Sequence, residues 1–186
     1  CELMYTYDKL FGEYNHTVAQ ILLTGEDIET EKRRENFRNT MFRLLALHAI
    51  PIINENDTVA TDEIVISDND TLAAIVSANV EADLLVLLSD IEGLYTKDPH
   101  KFPDAKLISE VKELTPEILA LAEGKGSDLG TGGMVTKLRA ADIATRAGID
   151  MIIANGAEPK ILYAIVDGKP FGTRFIGKKD EVYENI

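Results

Sequence analysis

Apolar residues recur at spacings of three and four from Leu3 through Tyr7, Leu10 and Tyr14, with Met4 and Phe11 beside them. That period predicts an amphipathic helix over residues 2–14 whose aromatics face a core. Val18 to Leu23 reads as a buried strand, and Thr24, Gly25, Glu26 and Asp27 supply a turn with helix-start chemistry. A charged amphipathic helix is expected over residues 29–48, with Phe37, Met41, Leu44, Leu45 and His48 on one side. His48 is read as a structural histidine or a charge at the helix C-terminus, without a catalytic role. Ile50, Pro51, Ile52 and Ile53 form a short β-branched run ending at Asn54, as a buried parallel strand would.

Farther along, Val59 to Ser67 alternates loosely and suggests a hairpin or edge excursion able to close over a ligand. Leu72, Ile75, Val76 and Val80 then line one face of a helix. Leu84 to Leu88 is the most hydrophobic run and is expected to be the central strand, ending at Ser89 and Asp90. Leu107 to Val111 suggests a short strand, and Thr115, Pro116 and Gly124 bracket a short helix. A helix ending at Gly148, a strand over Met151 to Ala154, a helix from Pro159 to about Val166 and a closing strand over Gly172 to Ile176 complete the pattern.

The chain of 186 residues, 45% hydrophobic and 27% charged, is long enough for one sizeable core and is most simply one domain. A net charge of −13 argues against nucleic-acid binding or attachment to an anionic membrane, because both require a basic face. The single cysteine, Cys1, excludes an internal disulfide and fits a reducing compartment. The longest apolar runs fall far short of the roughly 18 residues of a membrane span, and no signal-peptide pattern appears. The chain opens on Cys1 already inside a helical pattern, so the natural gene product is expected to extend upstream.

The candidate chemistry centres on Pro51 to Asp70, PIINENDTVATDEIVISDND. In open α/β sheets ligands gather at the carboxyl ends of strands. Residues 54–57 offer two amides and two carboxylates. Amides can donate to a substrate carboxylate, whereas Asp57 can only accept and suits an ammonium group, so the set matches an amino acid. A solvated turn would use the same residue types. Asp68, Asn69 and Asp70 before TLAAIVSANV are either helix caps, worth about 1 kcal/mol, or a second polar cluster; three in a row exceed what one cap needs. Ser89-Asp90 is equally readable as a strand-end cap or as a functional pair.

Gly124 to Gly133, GKGSDLGTGG, holds five glycines in ten residues and runs into a helical pattern with Lys137 one turn in. Such a loop can close its N–H groups on phosphate oxygens with a helix dipole behind them. It matches neither the Walker nor the dinucleotide pattern, and a flexible connector is the competing interpretation.

PIINENDTVA, SDNDTLAA, LLVLLSDIEGLYTKDP and GTGGMVTKLRAADIATRAGID, in this order and at these separations, closely resemble the glutamate 5-kinases of the amino acid kinase family. The resemblance implies a three-layer α/β/α sandwich with a mainly parallel central sheet. It also implies ATP- and Mg2+-dependent phosphorylation of the L-glutamate γ-carboxylate, the first step of proline biosynthesis, in the cytoplasm. Proline as a feedback inhibitor and a homo-oligomer, dimer or tetramer, come with it; nucleic acid and membrane do not. Matched by motif, Asn54, Asp57 and Asn69 would contact glutamate. Ser89 and Asp90, with Thr131, Gly132, Gly133, Met134, Val135, Thr136 and Lys137, would serve the nucleotide. Asp70 would organise the catalytic lysines and Lys137 would stabilise the transferring phosphoryl group; no metal-ligating residue is assigned. Family members usually have Thr where this chain has Ser89, so the hydroxyl is kept.

The resemblance covers residues 1–177 as a kinase domain and leaves 178–186 as a tail. The family's opening strand and glycine-rich phosphate turn have no counterpart ahead of Cys1, so this chain alone is expected to be weakly active or inactive. The alternatives are another amino acid kinase, acting on acetylglutamate, aspartate, carbamate or UMP, and a non-catalytic amino-acid or nucleotide sensor.

Overall fold

Parallel pairing of β1 (Val18–Leu23) with β2 (Ile50–Glu55) organises the N-terminal part of the chain, in register from Val18 opposite Ile50 to Leu23 opposite Glu55. The computed structural model describes residues 2–58, 66, 68–122 and 131–178, with only the backbone of 131 and 132. Its contacts divide the chain into two units, Cys1–Leu72 and Ala73–Ile186.

In the first unit α1 (Glu2–Gly12) precedes β1, and α2 (Gly25–Glu29) and α3 (Glu31–Ala46) connect β1 to β2. This is a right-sized crossover for two parallel strands. The expected helix over 29–48 is therefore shorter and is preceded by a separate short one. Phe37 and Met41 are its buried residues, whereas Leu45 is exposed. His48 sits exposed at φ 55°, turning the chain from α3 into β2 while the Ala49 N–H reaches the Leu44 carbonyl. Histidine tolerates this left-handed turn better than most residues.

The aromatics of α1 do not form a core: none of its residues is buried, and Leu3, Tyr5 and Leu10 are more than half exposed at 62%, 67% and 53%. Spacing fixes the stripe on a helix, but the cover for that stripe is a tertiary matter. Tyr7 and Phe11 stack on each other, ring centroids 6.2 Å apart. The expected hairpin over 59–67 lies outside the described residues apart from Ile66.

The first turn of α4 (Asn69–Asn79) closes the first unit. Leu72 is buried as expected, while Ile75, Val76 and Val80 are half-buried and Ala74 and Ser77 take the covered positions. The second unit is an α/β sandwich. Its elements are β3 (Leu84–Ser89), β4 (Glu110–Val111), α5 (Pro116–Ala122), α6 (Thr131–Arg146), β5 (Asp150–Asn155), α7 (Ile161–Val166) and β6 (Thr173–Phe175). The sheet runs β3-β5-β6-β4, with β3 and β5 parallel, β6 antiparallel to β5, and β4 parallel to β6.

Alternation along β3 and β5 builds two apolar layers. Leu85, Leu87, Met151 and Ile153 join Leu138 and Phe175 in the larger core. Ile152 and Ala154, with Leu84 and Val86, meet Ile165 of α7 on the opposite face. In this sheet β5 and β6 are the inner strands and β3 an outer one, which corrects the placement of Leu84–Leu88 at the centre. Composition ranked β3 first, but strand order depends on which faces the helices cover. Gly148, at φ 77°, ends α6, with Ile149 N–H bonded to the Ala144 carbonyl at 2.9 Å. No described helix is long and apolar enough to cross a membrane.

Candidate active site

Two polar clusters sit at strand carboxyl ends, one in each unit. In the first unit β2 continues to Glu55, so Asn54 lies inside the strand rather than just past its end. Asn54 stands opposite Leu22 and is exposed. The Asn56 N–H donates to the Leu23 carbonyl at 2.7 Å, extending the pairing one step, and Asp57 follows in an exposed turn. Glu55 has a different task. Its Oε1 accepts the N–H of Ile66 at 2.9 Å, returning the chain to the strand end two residues before Asp68.

At the end of β1, Asp27 Oδ2 accepts both the N–H and the hydroxyl of Thr24 at 2.8 Å, and its Oδ1 accepts from Arg33 at 3.2 Å. Partial burial alone would push the Asp27 carboxyl up. The bonds from Thr24 and the charge of Arg33 outweigh it and hold the group below the ordinary carboxylate value.

Asp68 is a helix cap: Oδ1 accepts the Thr71 N–H at 2.7 Å and Oδ2 its hydroxyl at 2.8 Å. That accounts for one member of the acidic cluster and leaves Asn69, exposed, and Asp70, half-buried, on the first turn of α4.

In the second unit Ser89 pairs in register with Asn155. The Gly156 N–H donates to the Ser89 carbonyl at 2.8 Å, and the Ser89 hydroxyl donates to Asp90 Oδ1 at 3.0 Å. Asn155 reaches the Asp90 carbonyl at 3.5 Å, while its own carbonyl oxygen Oδ1 accepts the Ala157 N–H at 2.9 Å. Asn155 is not among the site residues expected from the sequence. The available signal was an amide directly after an apolar run, the same signal that singled out Asn54.

Helix α6 begins at Thr131, so Thr131, Gly132 and Gly133 already belong to its first turn and Lys137 lies in its second. Residues 124–130 of the glycine-rich stretch lie outside the described residues. α6 turns at Gly148 and β5 returns along it. From Arg146 back to Lys137 the helix rises about 14 Å, and from Asp150 to Asn155 the strand covers about 17 Å. Lys137 lies toward the N-terminal end of α6, and Asn155 at the carboxyl end of β5. The first turn carries no acidic residue, and a Cβ on Gly133 would meet open space. Met134, Thr136 and Lys137 are half-buried and Val135 is exposed. The Thr136 hydroxyl donates to the Gly133 carbonyl at 2.9 Å. Among the described residues no three His, Cys, Asp or Glu side chains gather to hold a metal.

The amino acid kinase family model matches residues 2–155 of this chain. The chain belongs to the amino acid kinase family. Among its curated relatives in this family, the glutamate 5-kinase of Clostridium perfringens is 53% identical over 185 residues, covering 97% of this chain and 69% of that protein. The glutamate 5-kinase of Clostridium tetani is 56% identical over 173 residues, covering 93% of this chain and 65% of that protein. The chain spans about two thirds of the length of these relatives. Among solved structures it is similar to an isopentenyl phosphate kinase, at 21% identity and TM-score 0.60, covering 92% of this chain and 64% of that one. The carbamate kinase of Giardia lamblia bound to AMP-PNP shares 19% identity at TM-score 0.62, covering 92% and 66%. These likenesses show the amino acid kinase fold, and the α/β class with mainly parallel strands is the one expected.

Proposed function

We propose that the protein transfers the γ-phosphoryl group of ATP to the γ-carboxylate of L-glutamate, giving γ-glutamyl phosphate and ADP, in the cytoplasm. The observation that carries this is the identity of about half of all aligned positions with relatives named glutamate 5-kinase. Residues 1–177 would form the kinase domain. A carboxylate oxygen of glutamate attacks the γ-phosphorus, the bond from that phosphorus to the bridging oxygen breaks, and ADP leaves with the electron pair. The attacking carboxylate, with an ordinary pKa near 4.3, is already ionised at neutral pH, so no general base is needed. Catalysis then rests on positioning and charge neutralisation.

Asn54 and Asn69 supply amide donors for the α-carboxylate, and Asp57 an acceptor for the ammonium group. Ser89, Asp90 and the first turn of α6 face the nucleotide. A long helix whose first turn is glycine-rich and free of acidic side chains fits phosphate oxygens. Lys137 neutralises the transferring phosphoryl group and Asp70 orients the lysines around it. The donor set fits an Mg2+ ion carried mainly by the nucleotide phosphates, as is usual for this ion, rather than a protein cage. When bound, the ion would neutralise phosphate charge. Proline is the proposed feedback inhibitor and a dimer or tetramer the proposed assembly.

Hydroxylamine trapping of the acyl phosphate, with the whole protein, ATP and Mg2+, tests the proposal. Hydroxamate is expected with L-glutamate, and not with acetylglutamate, aspartate, carbamate or UMP in its place. Nucleotide and glutamate binding without any phosphoryl transfer would replace the kinase with a sensor.

A further inference from the structure

We infer that Thr173, on β6 and two strands across the second unit's sheet from Ser89, is a positioning residue for the nucleotide-side turn that begins at Asp90. The inference rests on the proposed role of Ser89 and Asp90 toward ATP. Thr173 is fully buried at 0% exposure. Its Oγ1 accepts the Leu94 N–H at 2.8 Å and donates to the Ile108 carbonyl at 2.6 Å. The Ile108 N–H in turn donates to the Leu94 carbonyl at 2.8 Å, so one hydroxyl closes a ring of bonds joining three distant segments.

The turn between Asp90 and Leu94 is short, and both its ends are fastened. Gly156 and Asn155 hold the near end through the Ser89 and Asp90 carbonyls. Thr173 holds the far end. The fit is close enough to exclude side chains: a Cβ on Gly93 would lie 2.5 Å from Thr173 Oγ1. A Cβ on Gly172 would lie 1.8 Å from the Ile153 carbonyl oxygen and 2.9 Å from that of Glu92. Loop closure makes such a turn cheap to order when both anchors hold and leaves it a wide ensemble when one is cut. Removing the Thr173 hydroxyl leaves a buried N–H and a carbonyl without this partner, and the chain can satisfy them only by moving residues 92–94. That motion passes directly to Asp90 and Ser89. None of these bonds involves Asn54, Asp57 or Asn69, so the effect is expected at the nucleotide and not at the amino acid.

The test compares wild type, Thr173→Val, Thr173→Ser and Gly93→Ala in the whole protein. Steady-state KM for ATP and for glutamate are read separately, with MgADP affinity by calorimetry. Thr173→Val is expected to raise KM for ATP and weaken MgADP about tenfold, the scale of one buried hydrogen bond, while KM for glutamate stays within about twofold. Thr173→Ser, which keeps the hydroxyl, restores the ATP value. Gly93→Ala strikes the same junction from the turn side and reproduces the selective rise, so the inference stays exposed if Thr173→Val does not fold. Unchanged ATP and MgADP parameters in the folded variants, or equal rises in both KM values, overturn it. A wild type that binds MgADP but forms no acyl phosphate defeats the kinase reading instead, and the calorimetry still decides the role of Thr173.

Discussion

The Glu55 carboxylate holds the backbone N–H of Ile66 at 2.9 Å, tying the end of β2 to the chain just ahead of α4. Ile66 is buried at 8% exposure, so its N–H has little access to water when the carboxylate is removed. Glu55→Ala should cost about 1–3 kcal/mol of stability, the range for an abandoned buried donor, whereas Glu55→Gln keeps an acceptor oxygen and should cost less. Urea denaturation of the two variants checks this. Equal losses would mean that the bond does not hold the segment.

Asp27 makes the first unit acid-sensitive in a defined direction. Its folded pKa is lowered because bonds from Thr24 and the Arg33 charge overcome the effect of burial. The stabilisation it provides is therefore fully present above the unfolded value of about 3.9 and is lost as pH falls through the lower folded value. Asp27→Asn should be less stable than wild type at pH 7, and the gap should close in the acid limb. A stability-against-pH series on both proteins measures it; a gap that stays constant down to pH 2 contradicts the assignment.

Lys137 stands in the second turn of α6 and is half-buried. Lys137→Met keeps the apolar stem and removes the charge, so the fold should tolerate it while kcat drops by about 10²–10³, the usual loss for one electrostatic stabiliser. Hydroxamate formation and a thermal melt on the same sample separate the two effects. A melt that shifts in parallel with activity would make Lys137 structural.

Gly172 adopts φ 61° with no space for a side chain beside the Ile153 carbonyl. Gly172→Ala should cost about 2–4 kcal/mol through strain and displacement together. Calorimetric melting is the measurement. Gly168, also at positive φ 78° but with nothing within 4 Å of its Cβ, provides the control: Gly168→Ala meets only the backbone strain and should cost less.

Much of this was legible from residue types alone. The apolar runs at Ile50 and Met151 became strands, Met151 to Ala154 buried throughout but Ile50 to Ile53 only half-buried, and Thr115-Pro116 and Gly148 ended up at the helix boundaries their chemistry dictates. Other features were not legible for physical reasons. Glu55 and Asp57 look alike in NEND, yet one is consumed by a backbone donor eleven residues away. Asp68 turned out to be the cap, with Asn69 and Asp70 on the helix's first turn, a division that depends on which residue starts the helix. Hydrophobicity ranked Leu84–Leu88 first without revealing that β5 would be flanked on both sides. Thr173 gave no local signal at all, because its partners come from segments far apart in sequence.

The position of β6 between β5 and β4 sets a timetable for synthesis. β4 ends at Val111, but the strand it pairs with does not begin until Thr173. At the usual pace of translation the ribosome needs roughly 3–12 s to cover that interval. For those seconds β4 has no neighbour in the sheet, and the larger core lacks Phe175. The sheet of the second unit therefore cannot be completed until Thr173–Phe175 has been made, and a nascent chain halted before Thr173 would present a half-built sheet to whatever chaperone meets it.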